Sequence, residues 1–364
     1  MPRKVFLTLG ALWMAAACAD PAAPPDVSSA LAAVVASAQV ELVDLGVPFG
    51  APGANANAIN ARGDVGGGTG GGPFAHRSFL WSERGGFTDL GAVGLNNQAT
   101  GVNASGTVVG FAGASDADVR SFAWDDRDGL RDLLGPTAGP NQAWGINARG
   151  DVVGNLGTRG FIVNDPLPFV WNERGGLTLI PLLTGWLGAN AIAVNNAGVV
   201  VGEAKVTNPA SPSGWSIHAF QWTKQGGTLD LGQVSISAGP TGLAAINERG
   251  QAVGTMIVGG QRRAIFWSAA TGIVDIHPDG MLHSQAMDIN DRGQVVGVYT
   301  VSTPSGTSGR AYIRSPAGLF TELPGLSSLG SVARAINEAG EIVGSSVDEG
   351  GQVHPVLWRV RGLP

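Results

Sequence analysis

From residue 56 onward, small, apolar and polar positions recur in short runs of fixed order. One run reads ANAINARGDVGG, then ATGVNASGTVVG, AWGINARGDVVG, AIAVNNAGVVVG, LAAINERGQAVG, AMDINDRGQVVG and ARAINEAGEIVG. Its asparagines are Asn60, Asn103, Asn147, Asn195, Asn247, Asn290 and Asn337, spaced by 43 to 52 residues. A second run follows each: SFLWSERGGFTDLG, SFAWDDRDGLRDLL, PFVWNERGGLTLIP, AFQWTKQGGTLDLG, AIFWSAATGIVDIH, AYIRSPAGLFTELP and PVLWRVRG. In the first run, Asn bonds nearby backbone and Gly accepts positive φ, so Asn-x-x-Gly predicts a turn between two strands. In the second, Phe-x-Trp alternates as a strand does, a glycine pair turns, and Thr-Asp-Leu returns.

Two hairpins per repeat make four strands, and seven repeats predict an all-β, seven-bladed β-propeller of four-stranded blades over residues 41–364. A parallel β-helix needs a shorter rung. The seventh repeat stops after Val356-Leu357-Trp358 without its returning strand. Glu41-Leu42-Val43-Asp44-Leu45-Gly46 matches Phe87-Thr88-Asp89-Leu90-Gly91. The N-terminal strand is therefore expected to complete the last blade, which closes the ring and removes exposed strand edges.

Ahead of the ring, Arg3 and Lys4 precede an apolar run at 5–17 that is too short to span a bilayer, and it ends in Ala15-Ala16-Ala17-Cys18. This resembles a bacterial lipoprotein signal over 1–17, with Cys18 as the lipidated first residue of the mature chain; an Ala-x-Ala site for simple secretion overlaps it. Residues 18–40 are rich in Ala and Pro and predict an extended tether, with a short helix near 31–38. The expected address is an outer-membrane or cell-surface lipoprotein, alternatively a secreted protein, with the membrane reached through Cys18 alone.

Composition narrows the classes. The chain holds 22 Lys+Arg against 28 Asp+Glu, 57 Gly among 364 residues and a single Cys. Removing Arg3 and Lys4 leaves 20 basic against 28 acidic residues, a net of −8. No basic surplus exists to neutralise phosphates, so no nucleic-acid partner is expected. One Cys builds no disulfide framework. Nucleophile-elbow, zincin and phosphate-loop motifs are absent, and no cofactor is implied.

The His218-Ala219-Phe220-x-Trp222 tract, with the recurring Asp-Leu-Gly and Ile-Asn-x-x-Gly-x-Val-Val-Gly tracts, resembles the HAF family of bacterial extracellular repeats over about residues 41–360. The resemblance implies an exported repeat protein. It brings no catalytic residues to map.

Within the repeats, a base and an acid stand twelve residues apart: Arg77 and Asp89, Arg120 and Asp132, His218 and Asp230, Arg263 and Asp275, Arg310 and Glu322. Ring closure would give Asp44 to His354. Leu167 and Leu179 replace both members in the third repeat. This joint swap predicts pairs that meet across the hairpin, because one buried charge without its partner is costly.

Length varies mainly in 155–166, 203–217 and 298–309, which propeller topology places on one face. Candidate ligand-binding residues are Trp144, Trp186 and Trp215, outside the repeating tryptophan position and suited to stacking. Asn55, Gln98, Gln142, Asn190 and Gln285 join them, as amides that open the first strands. His277, Asp279 and His283 form the one constellation with catalytic or metal-binding potential. The Arg62-Gly63-Asp64 and Arg149-Gly150-Asp151 tripeptides fall in hairpin turns. The expected function is a monomeric cell-surface binding module for a glycan, peptide or envelope protein. The alternatives are a polysaccharide hydrolase or lyase, or a structural or adhesive surface protein.

Overall fold

The computed structural model describes residues 3–6, 39–70, 76–94, 96–115, 118–135, 137–157, 165–236, 241–304 and 306–362. These form seven antiparallel sheets arranged as the blades of a propeller. Blade 1 comprises Ala54–Ile59, Val65–Thr69, His76–Ser82 and Gly86–Gly94, from the axis outward. Blades 2 to 6 repeat this order, with inner strands Asn96–Val102, Asn141–Ile146, Trp186–Val194, Gly242–Ile246 and His283–Ile289. Blade 7 is built from Ser331–Ile336, Glu341–Val347 and Val353–Arg361, and Gln39–Asp44 supplies its fourth strand. Closure is thus by the N-terminal strand, and Arg3–Phe6 adds a fifth strand outside it. Cys18, the tether and the expected helix at 31–38 lie outside the described residues.

Each blade is organised around one row of residues that runs across its strands. In blade 1 the row is Ala56, Gly67, Phe79 and Asp89, in register from inner to outer strand. The glycine, third in the Val-Val-Gly tract, is required by space. A Cβ there would stand 2.0 Å from the Gln98 carbonyl oxygen at Gly110, and 2.0 Å from that of Asn190 at Gly202. The aromatic ring of the third strand lies over the same glycine, 2.9 Å from such a Cβ at Phe122 and at Phe220. In blade 6 Tyr312 takes that place and donates its hydroxyl to the Gln285 carbonyl at 3.1 Å. Directly after the row, every inner strand carries a β-bulge that skips one residue.

The repeated asparagine ends each inner strand, and its side chain does more than turn the chain. The Asn247 Oδ1 accepts the Arg249 and Gln251 N–H groups at 3.1 and 2.9 Å, and Gly250 takes φ +73° in the same turn. Its Nδ2 donates to the carbonyl of Asn290 in the next blade at 3.0 Å. The same link joins Asn60 to Asn103, Asn147 to Asn195, Asn195 to Asn247, Asn290 to Asn337, and Asn337 back to Asn60. All seven asparagines are buried.

The base–acid pairs form as the spacing predicts. Arg120–Asp132, His218–Asp230 and Arg263–Asp275 meet at 3.1, 2.9 and 2.6 Å, and His354 meets Asp44 at 2.9 Å through closure. Their burial is less than the joint swap suggested, since the Arg77 side chain is 47% exposed. Such pairs are worth at most about 1 kcal/mol, so replacing one by the exposed Leu167 and Leu179 is tolerated. The acid also fixes the turn that leaves the blade. Asp89 Oδ1 accepts the Gly91 N–H there, and Asp44 Oδ1 accepts that of Gly46.

Two of the length-variable stretches are hairpins rather than loops. Val200–Thr207 pairs with Trp215–Thr223, and Val295–Thr303 pairs with Gly306–Arg314 in unbroken register. The extra residues lengthen the blades, because each added pair continues the ladder. Substituting Gly202→Ala is expected to destabilise the protein by at least about 2 kcal/mol through overpacking. Gly70→Ala, with nothing within 4 Å of the new Cβ, should be near neutral. Urea unfolding of both variants checks this.

Candidate functional site: an inter-blade cleft and the axial mouth

The sequence-predicted residues are dispersed through the ring. Trp186 is buried edge-on against Phe220, with ring centroids 5.6 Å apart, and so packs blade 4 rather than facing solvent. Trp144 lies 5.1 Å from Phe111 and donates its indole N–H to Asn155 Oδ1 at 2.7 Å. Trp215 is half-buried, with Lys205 Nζ 5.5 Å above its ring. Among the amides, Asn190 is buried and donates to Glu203 Oε1 at 3.1 Å, and Gln142 is buried. Asn55 and Gln285 are half-buried and Gln98 is exposed. At all five it is the backbone carbonyl, pressed against the glycine of the second strand, that recurs.

His277, Asp279 and His283 do not converge. His277 Nε2 lies 3.1 Å from the Met281 carbonyl and its Nδ1 2.7 Å from Ser284 Oγ. Ser284 Oγ in turn accepts the Ala264 N–H. Nε2 must therefore carry the proton and Nδ1 accepts from the serine, so both nitrogens are used within the loop. His283 Nδ1 accepts the Arg262 N–H, and Asp279 is exposed. Among the described residues no three His, Cys, Asp or Glu side chains gather as a metal site.

Another opening lies on the face of the hairpin turns. A cleft of about 830 Å³ separates blades 2 and 3. It opens where the asparagine chain is interrupted: among the described residues, Asn103 makes no bond to the Asn147 carbonyl, and Thr100 Oγ1 donates to the Ala143 carbonyl at 3.0 Å instead. Trp171 lines the cleft half-buried, and Trp124 of blade 2 is half-buried too, whereas their counterparts Trp81, Trp222, Trp267 and Trp358 are buried. Arg131 spans the opening, with Asp125 on its own blade at 3.2 Å and Glu173 of blade 3 at 3.2 Å. Asp151 is held by Asn147, Arg149 and Asn172 at 2.8, 3.0 and 3.1 Å. Arg174 and Lys224 add two exposed cations. Arg131 also meets Asp128 at 3.3 Å and Arg149 meets Asp151, so four basic side chains stand with four acidic ones, and Arg174 and Lys224 are the two cations that form no ion pair among the described residues.

Nothing in the repeat pattern sets Trp171, Arg174 or Lys224 apart, because they occupy ordinary positions of the second run. The one signal is Ser105-Gly106-Thr107, which puts hydroxyl side chains where four other repeats carry Arg at the first position and two carry Asp at the third.

A second, smaller cavity of about 260 Å³ sits on the axis at the same face, ringed by residues around the asparagines of blades 1 to 5 and 7. Beyond each asparagine, Asn196, Glu248, Asp291 and Glu338 accept the backbone N–H of the matching residue one blade earlier. Asp288, two residues before Asn290, accepts the N–H groups of Ile289 and of Ile336 in the next blade. Burial pushes its carboxyl up to about 7 from the ordinary 3.8.

Compared with family models and with curated proteins, the chain matches none. Solved structures do match. An acylaminoacyl peptidase from Pyrococcus horikoshii is 12% identical with a TM-score of 0.54, over 85% of this chain and 52% of that one. This chain therefore spans about half the length of the peptidase. TolB from Acinetobacter baumannii is 13% identical over 80% of this chain and 79% of that one, with a TM-score of 0.46. A gluconolactonase from Xanthomonas campestris is 12% identical over 92% and 93%, with a TM-score of 0.39. At these identities the likeness is one of fold.

Asp288 generates a pH dependence whose sign is fixed. Its folded pKa of about 7 lies above the unfolded value of 3.8, so the folded state binds the proton more tightly. Its contribution to stability is full below about pH 4, falls as the pH rises to about 7, and is level above that. Asp288→Asn is expected to remove this slope. Urea titrations at several pH values would show an unchanged slope if Asp288 were not its source.

Proposed function

We propose that this protein is an exported binding propeller and that its ligand is an acidic saccharide chain, seated in the cleft between blades 2 and 3. One observation carries the reading: a half-buried tryptophan lies in an open cleft with two exposed cations free of ion pairs among the described residues, Arg174 and Lys224, at the one break in an otherwise repeated inter-blade link. Indole faces stack on sugar rings, and fixed guanidinium and amide groups bond hydroxyls and carboxylates. Asp151, Asn172 and Arg131 are tied to their neighbours, which lowers the entropy lost when a ligand binds. Export and anchoring through Cys18 are part of the proposal and rest on the leader sequence.

Binding of polygalacturonate and of neutral dextran to the purified ring tests the saccharide reading. Polygalacturonate is expected to bind and dextran to bind at least about tenfold more weakly. Trp171→Ala should weaken polygalacturonate by about tenfold, and Arg174→Glu with Lys224→Glu should abolish the preference for the acidic polymer. Retention of neither polymer, with an envelope protein captured in stoichiometric amount, would replace it with a protein-binding reading. For the anchor, Cys18→Ser expressed in a bacterium that processes lipoproteins should move the protein from the membrane pellet to the soluble fraction. An unchanged distribution would exclude lipidation at Cys18.

A further inference from the structure

The skipped residue of each inner-strand bulge is Asn57, Thr100, Trp144, Ile192, Ala244, Met287 and Arg334 in blades 1 to 7. The residue before each is at most 1% exposed, yet all seven bulge residues are half-buried. Their direction follows from the backbone. The Gln98 carbonyl points at Gly110 of the second strand, so the next carbonyl, of Ala99, points the other way, toward the axis. Asn57 Nδ2 donates to that Ala99 oxygen at 3.0 Å, and Thr100 Oγ1 reaches the equivalent oxygen of Ala143. The seven bulge positions thus ring the axis on the innermost strands, next to the apolar collar of Ile59, Val102, Ile146, Val194 and Ile246.

Around the ring, the lining has two halves. Arg334, Asn57, Thr100 and Trp144 are consecutive and carry every polar group; Ile192, Ala244 and Met287 form an apolar arc opposite. Asn57 Nδ2, Thr100 Oγ1 and Trp144 Nε1 are already bonded to protein. Arg334 is not: its Nε is buried without a hydrogen-bond partner, and no carboxylate among the described residues pairs with it. The nearest acid along the ring, Asp288, uses both oxygens on backbone N–H groups. A desolvated guanidinium without a counter-ion is destabilising, and a carboxylate that meets its planar fork offsets that cost.

We propose that the axial channel is a binding site for a small amphipathic monoanion, whose carboxylate pairs with Arg334 and whose apolar part lies on Ile192, Ala244 and Met287. This site is separate from the cleft between blades 2 and 3 and does not depend on it.

Sodium hexanoate and its neutral analogue hexanamide serve as probes, with binding to the full-length protein read by calorimetry. Hexanoate is expected to bind and hexanamide to bind at least about tenfold more weakly. Arg334→Met should lose hexanoate by at least about tenfold, and Met287→Trp, which fills the apolar arc, should lose it as well. Trp171→Ala should leave hexanoate binding unchanged, which separates this site from the cleft. If Arg334→Met does not fold, Arg334→Lys and Met287→Trp carry the test. The proposal is overturned if folded wild-type protein binds no hexanoate at about 10 mM, or if a folded Arg334 variant together with Met287→Trp binds it as wild type does.

Discussion

Seven strands that converge on an axis have no sheet bonds to each other, so something else must hold neighbouring blades in place at the centre. Here a single carboxamide does so. Each asparagine accepts its own turn with Oδ1, and all but Asn103 staple the next blade with Nδ2, from a buried position where neither water nor a shorter side chain could replace it. A net contribution of about 1 kcal/mol per hydrogen bond makes six such links comparable to the whole stability of a typical domain. Glutamine would overshoot the turn and aspartate would lack the donor. The closing link, Asn337 to Asn60, joins residues 277 positions apart, which means that the ring is locked only when the whole chain has folded.

The second constraint is the row across each blade, alanine, glycine and an aromatic residue in blades 1 to 4 and 6, with Ile265 and Val356 in the aromatic place in blades 5 and 7. The inner-strand carbonyl, the glycine and the ring of Phe79 or its counterparts occupy one layer so closely that no Cβ fits. This layer aligns the strands of a blade, and the bulge follows it at the same point of every inner strand. The staple fixes blade against blade and the row fixes strand against strand. Between them they leave the identity of the bulge residue unconstrained by the repeat, and it differs in all seven blades.

Much of the fold was legible because it is written seven times. The count of blades, the turn at Asn-x-x-Gly, the twelve-residue base–acid spacing and the borrowed strand at Glu41 to Gly46 all follow from comparing repeats. What repeats, however, is what the fold needs. Trp186 looked free because it stands outside the repeated tryptophan position, but a blade that begins earlier than its neighbours simply buries it against Phe220. His277 and His283 looked like a site because they do not recur, but Ser284, Met281 and the Arg262 backbone N–H engage them separately. The cleft was illegible for the opposite reason: Asn103 and Asn147 are both present, and only their geometry shows that the link between them is not made.

The contrast between blades is therefore more informative than any blade alone. Where one chain solves the same packing problem seven times, a position that changes in every copy is free of the fold and open to selection for something else. Exposed turns meet this description trivially, since solvent accepts most side chains. The bulge ring does not, because it lies in the interior, where an arbitrary residue is rarely tolerated and an unpaired arginine least of all. A methionine or alanine would have filled the place of Arg334 without penalty, as both do at the same point of blades 6 and 5. Retaining a guanidinium there, beside three polar side chains whose donors are already engaged, is explained by a charge that arrives from outside the chain.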